Sequence, residues 1–260
     1  MPYLQREDYR LHYTIQGDPR APVLVLSHSL GAHMGMWQPQ LESFGRRFQL
    51  LCYDHPGHGN SEPRPGAASM ADFGADVLAL LDALDLEQVA FCGLSLGGMV
   101  GIWLGAHASH RITRLVVCSA PAQIEDPTLL RRRIARVRRD GVEAITDSVL
   151  AGWFTPEFRQ REPECVKWTT QMLLSTRAEA YAATAETVCE LDLRSELSRI
   201  DLPVLVIYGA NDEATPSAWN RALQEKISGA AGLCLPGAHL VNIEASNEYN
   251  AAVLGFLAPR

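Results

Sequence analysis

The feature that most constrains this chain is a succession of short apolar runs, each followed by turn residues and separated from the next by a stretch with helical spacing. VLVLSHS (Val23 to Ser29), FQLLCYD (Phe48 to Asp54), VAFCG (Val89 to Gly93), LVVCSA (Leu115 to Ala120), VLVIYG (Val204 to Gly209) and GLCLPG (Gly232 to Gly237) are near-continuous in apolar residues. Strands buried on both faces read this way, whereas strands with one wet face alternate. Between them lie helical patterns: Asp72 to Leu84, with Val77, Leu80, Leu81 and Leu84 at helical spacing, Met99 to Ala108, and Ala218 to Ile227. This alternation predicts an α/β fold with a mostly parallel sheet covered by helices on both faces. Tyr9 to Gln16 adds a strand at the amino-terminal end, and a closing helix is expected from about Ser246 to Leu257.

The alternation stops between residues 123 and 197, where every pattern is helical, with Leu129, Ile134 and Val137 and then Trp168, Met172 and Leu173 at helix-type spacing. Residues 1–122 and 198–260 therefore form the expected core domain, and 123–197 a helical insertion expected to cap a site, since insertions carry function on such scaffolds. A net charge of −7 gives no field that would gather nucleic acid or an anionic membrane. Cys52, Cys92, Cys118 and Cys234 lie within apolar runs and are expected to be reduced, buried thiols. MPYLQREDYR has no apolar signal core, and no run reaches the ~18 apolar residues of a membrane span, so a cytoplasmic chain is expected.

Directly after the strand VAFCG comes GLSLGG, a G-x-S-x-G match at Gly93, Ser95 and Gly97. A serine held on a sharp strand-to-helix turn needs strained backbone angles and neighbours without side chains two residues either way. The following helix turns its N-terminal N–H groups toward charge developing on a substrate oxygen. Such an oxyanion needs two donors. One is expected from the N–H of Leu96, the other from the loop HSLG after the strand VLVLSHS, with Leu30 the assigned donor and Ser29 the fallback.

Chain order for this chemistry is nucleophile, acid, histidine. ANDEATP places Asp212 just past a strand end, with Glu213 as its neighbouring rival, and AHLVNIE places His239 in the loop after the last strand. His239 would take the Ser95 proton, while Asp212 fixes its tautomer and stabilises the imidazolium. The histidine pairs His55/His58 and His107/His110 lack the ligand density of a zinc site. No phosphate-binding glycine motif is present. Neither a metal nor a cofactor is expected.

With these motifs in hand, the chain resembles the 3-oxoadipate enol-lactonases, α/β-hydrolases that open a ring in bacterial protocatechuate and catechol degradation. The resemblance covers nearly the whole chain. It includes Ser29 to Gly31 with Met36–Trp37, GHG (Gly57 to Gly59), FCGLSLGGMVG (Phe91 to Gly101), GWFTPEF (Gly152 to Phe158) and AHLVN (Ala238 to Asn242). It implies an eight-stranded α/β-hydrolase sheet with the helical cap inserted after the sixth strand, and hydrolysis of an ester or lactone through an acyl-enzyme.

Within the cap, Arg131, Arg132, Arg133, Arg136, Arg138 and Arg139 crowd one helix, and most must be a solvated face. The resemblance singles out Arg133 to hold a substrate carboxylate, which a guanidinium matches bidentately. Leu130 stands where those lactonases usually carry tryptophan, and HSLG, HPGHG and CSAP stand where they read NSLG, TRGHG and CNTA. His28, Pro56 and Leu130 are thus placed where they could touch substrate or its surroundings. Trp153 is a candidate substrate contact, although packing within the cap suits it better. The alternatives are a sibling carboxylesterase or lactonase, a carbon–carbon bond hydrolase using the same triad, and a non-catalytic scaffold. A dehalogenase or epoxide hydrolase is excluded because those carry aspartate where this chain has Ser95.

Overall fold

The computed structural model describes residues 2–258. In chain order the elements are β1 (Tyr3–Gln5), β2 (Arg10–Gln16), β3 (Val23–Ser27), α1 (Gln38–Gly45), β4 (Gln49–Tyr53), α2 (Met70–Ala83), β5 (Val89–Leu94), α3 (Leu96–His107) and β6 (Ile112–Cys118). Five helices follow without a strand: α4 (Thr128–Asp140), α5 (Thr146–Trp153), α6 (Pro156–Arg161), α7 (Pro163–Leu174) and α8 (Ala178–Cys189). The sheet resumes with β7 (Val204–Gly209), α9 (Ser217–Lys226) and β8 (Ala231–Leu235), and the chain closes on α10 (Val241–Glu244) and α11 (Ser246–Leu257).

The eight strands form one sheet in the order β1-β2-β4-β3-β5-β6-β7-β8. β1 pairs antiparallel with β2 and β2 antiparallel with β4, and every neighbouring pair from β4 onward is parallel. The two-residue period of a strand divides the core in two. β3 sends Leu24 and Leu26 to one face and Val23 and Val25 to the other, and β5 divides Ala90, Cys92 and Leu94 from Val89 and Phe91 in the same way. Helices α2 and α3 cover one face through Phe73, Val77, Leu80, Met99 and Val100. On the other, α1 and α11 contribute Phe44, Tyr249 and Val253, and apolar residues of the helical insertion join the same cluster. Helix α2 starts at Met70, two residues ahead of its apolar pattern, because Ser69 and Asp72 form a capping box, a device contributing about 1 kcal/mol.

Two details differ from the sequence reading. Cys52, Cys92 and Cys118 are buried, but Cys234 is exposed. β8 is the last strand of the sheet and only Leu235 in it is fully buried, so an apolar composition there does not bring two-sided burial. Residues 123–197 are also not wholly helical. Gln123 and Asp192 form an antiparallel bridge, and Leu193 N–H donates to the Ala122 carbonyl at 2.9 Å, tying together the two crossings between sheet and insertion. Among the described residues no helix is long and apolar enough to cross a membrane.

The parallel strands place the loops after β3, β5, β7 and β8 at one edge of the sheet, the edge where ligands gather in α/β folds.

Candidate active site

Ser95 sits between the last residue of β5 and the first of α3, with φ 56° and ψ −115°. A non-glycine residue in that region carries about 1–3 kcal/mol of strain and persists only where its surroundings over-determine it. Here they do. Ser95 N–H donates to the Cys118 carbonyl at 2.8 Å, Met99 N–H to the Ser95 carbonyl at 2.9 Å, and Gly97 N–H to the His28 carbonyl at 3.1 Å. A Cβ on Gly93 would run into the Gly97 carbonyl, and one on Gly97 into the carbonyl of Ser27, so both glycines of the motif are required by close backbone approach. Ser95 Oγ has no hydrogen-bond partner among the described residues; such contacts often tighten only when substrate is bound.

Asp212 and His239 are brought together across the ends of β7 and β8. His239 Nδ1 lies 2.9 Å from Asp212 Oδ2. A carboxylate only accepts, so Nδ1 carries the proton and Nε2 is left as the basic nitrogen. Asp212 is held from its own loop as well: Oδ1 accepts from the N–H groups of Ala214 and Thr215, each at 2.9 Å, and Oδ2 from the Thr215 hydroxyl at 2.6 Å. Burial alone would raise its pKa, but the proximity of His239 and the Thr215 hydrogen bonds outweigh burial and hold it below the usual carboxylate value. Glu213, the rival, points to solvent. Thr215 is not among the residues the sequence singles out, and the D-x-x-T spacing from Asp212 is its one local signal.

In the loop after β3, Ala32 N–H turns back to the Ser29 carbonyl, and Ser29 N–H is occupied by the Met36 sulfur at 3.3 Å. That leaves the N–H of Leu30 without a protein acceptor among the described residues. As the first residue of α3, Leu96 likewise has a free N–H.

His28 is fully buried. Its Nδ1–H donates to the Ser29 carbonyl at 2.8 Å, and its Nε2 accepts from the backbone N–H of His55 at 2.9 Å. His28 therefore binds the loop after β3 to the loop after β4, and of the two roles expected for it, substrate contact or part of the surroundings, its engaged and buried ring fits the second. His55 and His58 pack beside it, with ring centroids 4.4 Å and 5.5 Å from that of His28. Burial keeps all three neutral, aided at His28 and His55 by the neighbouring imidazoles: His28 falls well below its ordinary value, His55 to about 3 and His58 to about 4. Pro56 is buried in the same loop and its carbonyl accepts from His58 Nδ1 at 3.1 Å.

On α4, five of the six arginines are exposed and Arg133 is half-buried. Arg138 pairs with Glu179 at 2.7 Å and Glu186 at 2.6 Å, and Arg139 with Asp140 at 2.6 Å. Arg133 instead meets Tyr181, whose pKa burial raises and the nearby guanidinium moderates. Tyr181 lies over the loop after β3, because a Cβ on Gly31 would come within 2.9 Å of its ring. Leu130 is half-buried against both core clusters, as is Leu30. Trp153 is buried in the core, and its carbonyl accepts from Leu240 N–H at 3.0 Å.

A family model described as the alpha/beta hydrolase fold matches residues 22–246. The chain is 37% identical over 250 residues to 3-oxoadipate enol-lactonase 2 of Acinetobacter baylyi, covering 96% of this chain and 94% of that protein. The crystal structure of the enol-lactonase from Burkholderia xenovorans LB400 superposes with a TM-score of 0.96 at 37% identity, covering 98% of this chain and 99% of that one. A thermophilic esterase from Thermogutta terrifontis superposes with a TM-score of 0.88 at 27% identity, covering 96% and 93%.

Proposed function

The chain belongs to the alpha/beta hydrolase fold family, and on that premise we propose that it is a serine hydrolase opening a carboxylate-bearing lactone, most closely a 3-oxoadipate enol-lactone. The observation that carries this reading is the Asp212–His239 hydrogen bond at the same sheet edge as a serine held at φ 56°. The likeness to enol-lactonases over the whole chain directs it to a lactone.

In this reading Ser95 Oγ attacks the lactone carbonyl as its proton passes to His239 Nε2. Asp212 stabilises the resulting imidazolium. The N–H groups of Leu30 and Leu96 receive the oxyanion, each such donor contributing about 10²–10³ in rate. Collapse breaks the ring C–O bond, and the departing oxygen takes the proton from His239. The ring is then open and its acyl carbon is esterified to Ser95. A water, deprotonated by His239, attacks that ester and releases a dicarboxylate and free Ser95. No metal or cofactor takes part. Residues 123–197 form a cap over this edge of the sheet, with Arg133 holding the carboxylate and Leu130 and Trp153 shaping the apolar wall.

Leu130 supports a second reading. A half-buried leucine against both core clusters leaves more room than tryptophan, which would suit a sibling esterase or lactonase of different acyl preference. Initial rates on the enol-lactone, saturated lactones and short aryl esters, each with the parent and Ser95→Ala, test both. The lactonase reading requires the enol-lactone to have the highest kcat/KM. Aryl esters surpassing it would give the second reading, and Ser95-independent turnover of all of them would remove both.

A further inference from the structure

The loop bearing His239 runs from Leu235 at the end of β8 to Val241 at the start of α10, and three of its successive N–H groups have revealing partners. His239 N–H donates to the Gly152 carbonyl at 3.3 Å and Leu240 N–H to that of Trp153 at 3.0 Å, so the histidine's backbone leans on the last turn of α5. Ala238 N–H, one residue earlier, donates to Glu244 Oε2 at 2.9 Å. Glu244 Oε1 accepts the hydroxyl proton of Thr155, and Thr155 N–H lies 3.3 Å from both carboxylate oxygens. Thr155 is the N-cap of α6, where its Oγ1 already accepts from Phe158 N–H at 3.2 Å. Gly237 has φ +138°, and a Cβ on it would sit 3.2 Å from Glu244 Cγ, so the loop is shaped around this side chain. One carboxylate thus grips the residue before His239 and the segment of the insertion on which His239 rests.

We propose that Glu244 is a positioning residue that keeps His239 in register with Asp212 by pinning the His239 loop to residues 152–155. The donors explain why a carboxylate stands there. Two backbone N–H groups and a hydroxyl, one of whose lone pairs is already engaged, converge on one point as donors, and an acceptor-only group with about four lone-pair sites satisfies them all. An amide would turn its NH₂ toward one of those N–H groups. The consequence is catalytic because a reacting group displaced by about 1 Å can lose about 10²-fold in rate.

This inference rests on His239 acting as the base for Ser95, and the test separates the two. Parent protein and Ser95→Ala are first labelled with a fluorophosphonate; absence of Ser95-dependent labelling sinks the triad reading and this proposal with it. Labelling present, Glu244→Gln and Thr155→Val are assayed on an aryl acetate, and the low-field proton resonance of His239 Nδ1–H is recorded. Glu244→Gln is expected to lower kcat about 10–100-fold with KM changed less than about threefold, and to broaden or erase the low-field resonance. Thr155→Val, which leaves the Ala238–Glu244 bond in place, should show the same changes in milder form. A Glu244→Gln protein with parent kcat and resonance, or one whose kcat falls only in proportion to its unfolded fraction, overturns the proposal. Should Glu244→Gln not fold, Thr155→Val decides: parent kcat and resonance in that variant overturn it equally.

Discussion

His239 Nδ1–H donates a hydrogen bond to Asp212 Oδ2 at 2.9 Å, and the Thr215 hydroxyl reaches the same oxygen at 2.6 Å. The carboxylate is therefore oriented from both sides before any substrate arrives. Replacing it with an amide should keep the shape of the loop but favour the wrong imidazole tautomer. We expect Asp212→Asn to lower kcat on the order of 10⁴-fold. Glu213→Gln, altering an exposed side chain, should stay within about twofold of the parent. Steady-state kinetics of the two variants side by side decide the assignment, and a reversed order would hand the acid role to Glu213.

Ser95→Ala should remove about 10⁴–10⁶ of the activity, as expected for a nucleophile acting in concert with its base. The variant also relieves nothing at φ 56°, since alanine is no more at ease there than serine. Its thermal midpoint should accordingly stay near that of the parent. Retention of a tenth of the parent rate would be incompatible with a nucleophilic Ser95.

How far the sequence announces this site depends on whether a role is local. Ser95 is legible because its constraint lies within five residues: a buried strand, two glycines and a helix start. Asp212 and His239 are legible because each follows a parallel strand, and parallel strands end at one edge. His28 is not legible in the same way. A histidine in that loop could face substrate, and only the approach of the His55 N–H at 2.9 Å, from the loop after another strand, turns it inward. Cys234 misleads for a related reason, since its apolar run says strand but not that the strand has one neighbour. Glu244 and Thr155 are 89 residues apart, and nothing in either segment's composition signals that they meet.

The buried imidazoles make stability sensitive to acid. The unfolded chain takes up protons on histidine near pH 6.5, whereas in the folded protein His58 is pushed down to about 4 and His55 to about 3. Between those values the unfolded state binds more protons, so the contribution is complete above about pH 6.5 and is lost as pH falls through the folded values. For His58 alone the shift corresponds to on the order of 3 kcal/mol. Chemical denaturation at a series of pH values from 7.5 to 4.5 should show midpoints falling steadily below about 6.5. His58→Asn, which can still donate to the Pro56 carbonyl, should flatten that decline. An acid limb identical to the parent's would show that His58 is protonated in the folded state after all.

Substrate choice is where Arg133 enters. It is the one arginine of α4 that is not exposed, and it meets Tyr181 above the loop carrying Leu30. If it holds a substrate carboxylate, Arg133→Met should reduce kcat/KM for the enol-lactone by about 1.5–3 kcal/mol, the scale of a hydrogen bond to a charged group. Turnover of a neutral aryl ester should hardly change, because the proposed triad and both proposed oxyanion donors are untouched. Arg132→Met and Arg136→Met, on the exposed face, serve as controls and should leave both substrates alone. The comparison between charged and neutral substrate separates recognition from stability. An equal loss on the two would mean that Arg133 supports the helical insertion through Tyr181 instead, and no loss on either would leave the carboxylate without a partner on α4.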